Sequence, residues 1–279
     1  MFDNCGSSIK CGFGSVGISG VSLLRRSRDT LPAYRIMETP EIISFTDFRL
    51  LRGISTTQTR DLSVIRYDRS AFVSISNESF APEKITLQVN YFDNIDRLKR
   101  FVRQQNYFYT LKLETPSGAY FCDVQLESDT VSTYTIFDKL EFNFLRTSMF
   151  YKIVPLDVQE YPGPINIIAT NYGDMPGALK LHRWLYNEVS AFLSINSDTF
   201  NTYYTVGSYA EVGVNYIHYS SVPGDLYISY EAEEQEPVDI AGKRDFSKKG
   251  FVTVPVGEFQ LTASTSAWEV LMYEYYYNI

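Results

Sequence analysis

From Phe80 to Leu156 apolar and polar residues alternate with a period of two over segment after segment, a pattern that suits strands with one face buried. Ile85, Leu87, Val89 and Tyr91 form one side of a run from Lys84 to Phe92. The period then changes. At about 100° per residue, Ile95, Leu98, Phe101 and Val102 share one arc and Arg97, Lys99, Arg100 and Arg103 the opposite one. Asp93 suits an N-cap, and Asp96 places a carboxylate in the first turn, where the helix dipole favours it. The spacing predicts a short helix starting at Asp93, packed on its apolar face and basic on the other. Tyr107–Glu114 and Ala119–Leu126 follow as a hairpin over Thr115-Pro116-Ser117-Gly118, and Leu140–Lys152 reads as one further strand.

The same signal recurs on both sides of this stretch. Glu41–Phe45, Leu62–Tyr67 and Phe72–Ser76 precede it; Tyr203–Val206, Tyr216–Ser220, Leu226–Tyr230, Gly250–Val254, Phe259–Thr265 and Trp268–Tyr276 follow it. Short strands between turn signals indicate sandwiches or barrels. Composition leans the same way: aromatics are 15% of the chain, with 22 Tyr and 19 Phe, residues enriched in strands. Residues 177–196 fit either one helix or two strands, Ala178–Trp184 and Val189–Ile195; their β neighbours decide for strands. The acidic Glu231, Glu233, Glu234 and Glu236 and the basic Lys243, Arg244, Lys248 and Lys249 read as an exposed loop.

At 279 residues two domains are expected. Pro155, Pro162, Pro164 and Pro176 interrupt regular structure, and the charge balance changes sign there. Residues 1–155 carry 19 Lys and Arg against 17 Asp and Glu; residues 156–279 carry 6 against 16. The boundary is therefore set near 155. A net charge of −8 argues against general nucleic-acid binding, which needs a concentrated basic footprint. No apolar run approaches the ~20 residues of a membrane-spanning helix. Met1–Gly6 lacks a signal-peptide pattern, so synthesis in a cytoplasm is expected, and Asn77-Glu78-Ser79 reads as a chance glycosylation match.

The motifs of chemistry are missing. Gly12-Phe13-Gly14-Ser15-Val16-Gly17 spells a dinucleotide fingerprint, but a polar segment precedes it and a strand-like run, Ile18–Leu24, follows, so it reads as a flexible or edge-pairing arm. His182 and His218 have no partner at ligand spacing, and no zinc, nucleophile-elbow, phosphate-loop or EF-hand string occurs. Three cysteines make a disulfide framework unexpected, and Cys122, inside a strand, is expected to be buried and inert. Neither an enzyme nor a cofactor is indicated, although abundant carboxylates leave a two-carboxylate glycoside hydrolase open. Trp184 and Trp268 are expected in the core, while a Tyr- and Trp-rich sandwich also suits sugar stacking. Arg25, Arg26 and Arg28 form a basic loop cluster that is either solvated or a contact for an acidic partner.

Strand, basic helix, hairpin and the strand through Leu140-Glu141-Phe142-Asn143-Phe144 together resemble the N-terminal belt domain of the distal tail proteins of long-tailed bacteriophages. Pro82-Glu83-Lys84-Ile85-Thr86-Leu87 matches that family's strand entry, with Lys84 where arginine is commoner. The second half is similar to its galectin-like sandwich: Pro255-Val256-Gly257-Glu258-Phe259-Gln260-Leu261 occupies the turn into a late strand and Trp268–Tyr276 the closing strand. The Gly/Ser-rich start and Gly242-Lys243, where the family has a glycine-asparagine step, depart from the pattern. The resemblance implies a mainly β protein: a belt sandwich with one helix over residues 1–155, then a galectin-like sandwich over residues 156–279. It implies a homo-hexameric ring at the virion tail tip, contacting the major tail-tube protein, the tail-associated hub protein, receptor-binding or baseplate proteins, and cell-wall carbohydrate where the outer domain is enlarged. Arg25, Arg26, Arg28, Arg97, Lys99, Arg100 and Arg103 are the interface candidates. A carbohydrate-binding module and a receptor-binding or upper baseplate protein are the alternatives.

Overall fold

The computed structural model describes residues 20–27, 40–44, 55–57, 60–66, 73–80, 83–90, 95–104, 107–134, 137–158, 164–186, 191–196, 198–202, 215–232, 237–243 and 245–277. Among the described residues the fold is mainly β with antiparallel pairing and one short α-helix. By contacts, the described residues up to Met149 form one compact unit and those from Phe150 onward another.

The first unit contains β1 (Gly20–Ser27), β2 (Glu41–Ser44), β3 (Ser55–Thr57), β4 (Arg60–Arg66), β5 (Val73–Phe80), β6 (Glu83–Asn90), α1 (Ile95–Val102), β7 (Tyr107–Thr115), β8 (Gly118–Tyr134) and β9 (Phe137–Arg146). β1 lies between β2 and β7, an internal position, so the strand-like run toward Leu24 is a strand and Arg25 and Arg26 belong to it rather than to a loop; residues 12–17 lie outside the described residues. β7 and β8 form the expected hairpin, closing at Thr115 opposite Gly118, whose φ of 116° needs a residue without a Cβ. The long strand β8 serves two partners: its first half pairs with β7 and its second with β9, with a register shift between Leu126 and Ser128 where an extra residue bends the strand. β9 then pairs with β6, and β6 with β3, while β4 and β5 make a separate hairpin. The alternation read from sequence is that of the buried set: Ile85 and Leu87 on β6, Leu111 and Leu113 on β7, Phe142 and Phe144 on β9. Cys122 is also fully buried.

Leu140–Lys152 is not one strand. It breaks at Thr147–Met149, where Thr147 N–H donates to Asp123 O (2.8 Å) and Asp123 N–H donates to Ser148 Oγ (2.7 Å). These bonds satisfy the backbone outside a ladder and end β9.

The second unit contains β10 (Phe150–Pro155), β11 (Ile165–Asn171), β12 (Met175–Tyr186), β13 (Ala191–Ile195), β14 (Asp198–Thr202), β15 (Asn215–Val222), β16 (Asp225–Ala232), β17 (Val238–Asp239), β18 (Gly257–Ala263) and β19 (Ala267–Tyr276). One sheet runs β17-β16-β15-β12-β19-β10, the other β11-β18-β13-β14. Leu181, Trp184, Ile217, Tyr219, Ile228, Val270 and Met272 from the first sheet pack with Ile165, Leu193, Ile195, Phe259 and Leu261 from the second. This is a sandwich core, in which each sheet buries one face against the other.

Two expectations fail here. β11 lies inside the proline-rich segment expected to be irregular. Gly250–Val254, expected as a strand, makes only an isolated bridge from Val254 to Gly177, because Val252 N–H donates to the Tyr219 hydroxyl (2.7 Å) instead of to a ladder. A methyl group on Gly177 would sit 2.5 Å from Tyr273 O, so the close backbone approach requires glycine. Asn171, 1% exposed, holds the same corner: its Nδ2 faces the carbonyls of Met175 (3.2 Å) and Pro255 (3.2 Å), and its Oδ1 accepts from Gly173 N–H (2.9 Å).

Candidate functional site

The candidates divide into residues on β1 and residues on α1. The predicted helix forms over Ile95–Val102, with Phe101 and Val102 buried, Lys99 half-buried, and Arg100 and Arg103 exposed, as the two arcs require. Arg97 occupies the helix backbone between them. Asp93 and Arg28 lie outside the described residues.

Arg25 and Arg26 are strand residues, paired across β7 with Tyr109 and Phe108. Because strand side chains alternate, their neighbouring positions lead to different surroundings. Arg26 is exposed. Arg25 is clamped: its side chain is 12% exposed, its guanidinium carbon lies 4.2 Å from the Phe101 ring centroid and 4.5 Å from that of Tyr107, and its nitrogens reach four acceptor contacts. Nε and Nη2 donate to Glu41 Oε2 (2.8 and 2.5 Å), and Nη1 donates to Gln104 Oε1 (2.7 Å) and to the Phe101 carbonyl (3.3 Å). That carbonyl belongs to the last helical turn, where partners are missing and a cation is favoured by the dipole. The Tyr109 hydroxyl adds a second tie, 2.8 Å from both Phe101 O and Gln104 O, and burial raises its pKa, keeping it a donor. Arg25 thus fastens the end of α1 to β1 and β2. Arg26, the next residue along β1, therefore points away from the side on which Arg25 meets α1, and the structure does not join it to the exposed Arg100 and Arg103 in one patch.

In the second unit the structure unites residues the sequence keeps apart. His182 on β12 and His218 on β15 meet with Nδ1 atoms 3.2 Å apart, and His218 Nε2 lies 2.5 Å from Glu231 Oε2. Glu231 is therefore a buried strand residue, not part of an exposed acidic loop; Glu233, Glu234, Glu236 and Arg244 lie outside the described residues. Burial pushes His182 down to about 4, with His218 and Arg183 acting in the same sense, and burial also lowers His218. Only strand pairing reveals this cluster; nothing in the local spacing signals it. The two tryptophans separate as well: Trp184 is fully buried, but Trp268 is 75% exposed, contrary to the expected core position. Among the described residues no group of three or more His, Cys, Asp and Glu converges as a metal-ligand set, and no helix is long and apolar enough to cross a membrane.

No protein-family model and no curated protein matches the chain. Solved structures do. The SPP1 Dit protein, described as a paradigm of the hub adsorption apparatus in phages infecting Gram-positive hosts, aligns with a TM-score of 0.56 at 10% identity over 90% of this chain and 97% of its own. A chain of the phage P2 baseplate in its activated conformation with calcium gives 0.60 at 11% identity, over 93% of this chain and 99% of that one. The strontium form gives 0.58 at 11% identity with the same coverage. At this level of identity the likeness is one of fold, and it extends along nearly the whole length of both partners.

Proposed function

We propose that this chain is a phage distal tail protein that assembles into a hexameric ring at the tail tip. In this reading the first unit is the belt that closes the ring and meets the major tail-tube protein and the tail-associated hub protein. The second is the galectin-like sandwich that contacts receptor-binding or other baseplate proteins. The observation that carries the reading is the extent of the fold likeness: a hub protein and a baseplate chain each match over at least 90% of this chain and 97% of their own length. A two-unit β architecture of this length is a larger coincidence than a single shared sandwich.

Cyclic rings are built on heterologous contacts, one patch meeting a different patch on the neighbour. The charge distribution suits that: Arg26, Arg100 and Arg103 are exposed in the first unit, and there are ten more acidic than basic residues after position 155. Negative-stain images of the purified chain test the proposal. Rings with a central opening and six-fold symmetry are expected; isolated compact particles at high micromolar concentration count against it. One observation favours a second reading, in which the second unit also binds cell-wall carbohydrate: the 75% exposed Trp268 offers the apolar face that sugars stack on. Titration with cell-wall saccharides that yields neither heat nor a change in tryptophan emission removes it.

A further inference from the structure

The histidine cluster of the second unit has no part in the proposed assembly, and its geometry has a local cause. β12 carries one residue more than β15 at this level. Leu181 pairs with Tyr219 and Trp184 with Ile217, so that His182 and Arg183 together oppose His218. Arg183 accommodates the extra residue at a φ of 45°, a conformation rare for a side chain of its size. The bulge allows both imidazoles to meet on the face of the sheet away from the core.

The hydrogen bonds fix which nitrogen is available. His218, 1% exposed, turns Nε2 to Glu231 Oε2, so Nε2 carries the hydrogen and Nδ1 keeps its lone pair. That lone pair accepts from His182 Nδ1–H at 3.2 Å and, over a longer contact of 3.5 Å, from Arg183 N–H. Two nitrogens each about 2.0–2.1 Å from a tetrahedral zinc ion stand about 3.3 Å apart, nearly the observed separation.

We propose that His182 and His218 form a two-imidazole site for a borderline divalent ion such as zinc, bound through both Nδ1 atoms, with Glu231 orienting His218 through Nε2. The carboxylate–imidazole–metal order is the arrangement that holds a ligating ring in its tautomer and raises its basicity. Binding moves the His182 hydrogen from Nδ1 to Nε2, and both rings remain neutral. Water fills the remaining positions. Ser229, the register partner of His218 and 2% exposed, has a hydroxyl with no hydrogen-bond partner, which a metal-bound water would satisfy. Of the nearby cations, Lys180 is paired with Asp225 (3.1 Å), and Arg183 lies 3.5 Å from Glu231. The half-buried His182 ring leaves a route from solvent.

The chain contains two histidines in all, so any histidine-dependent metal binding reports on this pair alone. The test is a calorimetric titration of the full, untagged chain with zinc, beside His182→Ala and Glu231→Gln. One zinc per chain is expected, lost in His182→Ala and weakened roughly 10–100-fold in Glu231→Gln. With copper(II), the electron paramagnetic resonance spectrum should show splitting from two imidazole nitrogens. Should Glu231→Gln fail to fold, His182→Ala, altered at the half-buried ring, still decides. The proposal is overturned if the wild-type chain takes up no zinc, if His182→Ala binds it equally well, or if the copper spectrum shows no nitrogen ligands.

Discussion

Replacing Arg25 separates a structural role from an interface role at the one candidate whose surroundings are fully described. In Arg25→Ala the two ring contacts at 4.2 and 4.5 Å disappear, each worth about 0.5–1 kcal/mol when exposed and more when desolvated. The hydrogen bonds to Gln104 and the Phe101 carbonyl go with them, adding about 0.5–1.5 kcal/mol each before the shared geometry is discounted. The pair with Glu41 adds little, because Glu41 is 54% exposed and solvent screens it. Since these contacts are not additive, a net loss of about 2 kcal/mol is expected, felt at the end of α1. Hydrogen exchange of the amides around Phe101–Gln104 measures it: local opening should become roughly 30-fold more frequent, since about 1.4 kcal/mol corresponds to a factor of ten. Arg25→Lys keeps the charge but loses the planar stack and should recover less than half of the protection. Unchanged exchange together with loss of ring assembly would refute the clamp and return Arg25 to the interface.

Further outcomes follow from the packing at four residues. Gly177→Ala should destabilise the second unit by about 1–3 kcal/mol, read from the melting of its tryptophan signal, because the added methyl group would meet Tyr273 O at 2.5 Å. Trp184→Ala should cost about 3–5 kcal/mol. Trp268→Ala should change stability by less than about 0.5 kcal/mol, and Trp268 alone should account for the red-shifted emission quenched by acrylamide. Cys122 should resist alkylation in the native chain and react after denaturation, as peptide mapping by mass spectrometry will show, because its side chain is fully buried.

What the sequence made legible was the periodicity. The alternations around Ile85, Leu111 and Phe259 correspond to buried and exposed faces, as does the last turn of α1, where Phe101 and Val102 are buried and Arg100 is exposed, since local pattern and tertiary burial agree there. Tertiary partners overrode local signals elsewhere. Arg25 looks like a loop arginine until β1 is inserted between β2 and β7 and the aromatic rings on either side become visible. β11 was hidden by Pro162 and Pro164, which precede the strand without entering it. Val252 has strand character, but a tyrosine hydroxyl takes its N–H. The His182–His218 contact depends on an antiparallel pairing plus one bulge residue, a relation between strands that no window along the chain contains.

Native mass spectrometry of the purified chain at tens of micromolar tests the proposed ring most directly. A dominant species at six times the 32.0 kDa chain mass is expected, dissociating as salt screens the charged contacts. A species at one chain mass across that concentration range, at low and moderate salt alike, would contradict it.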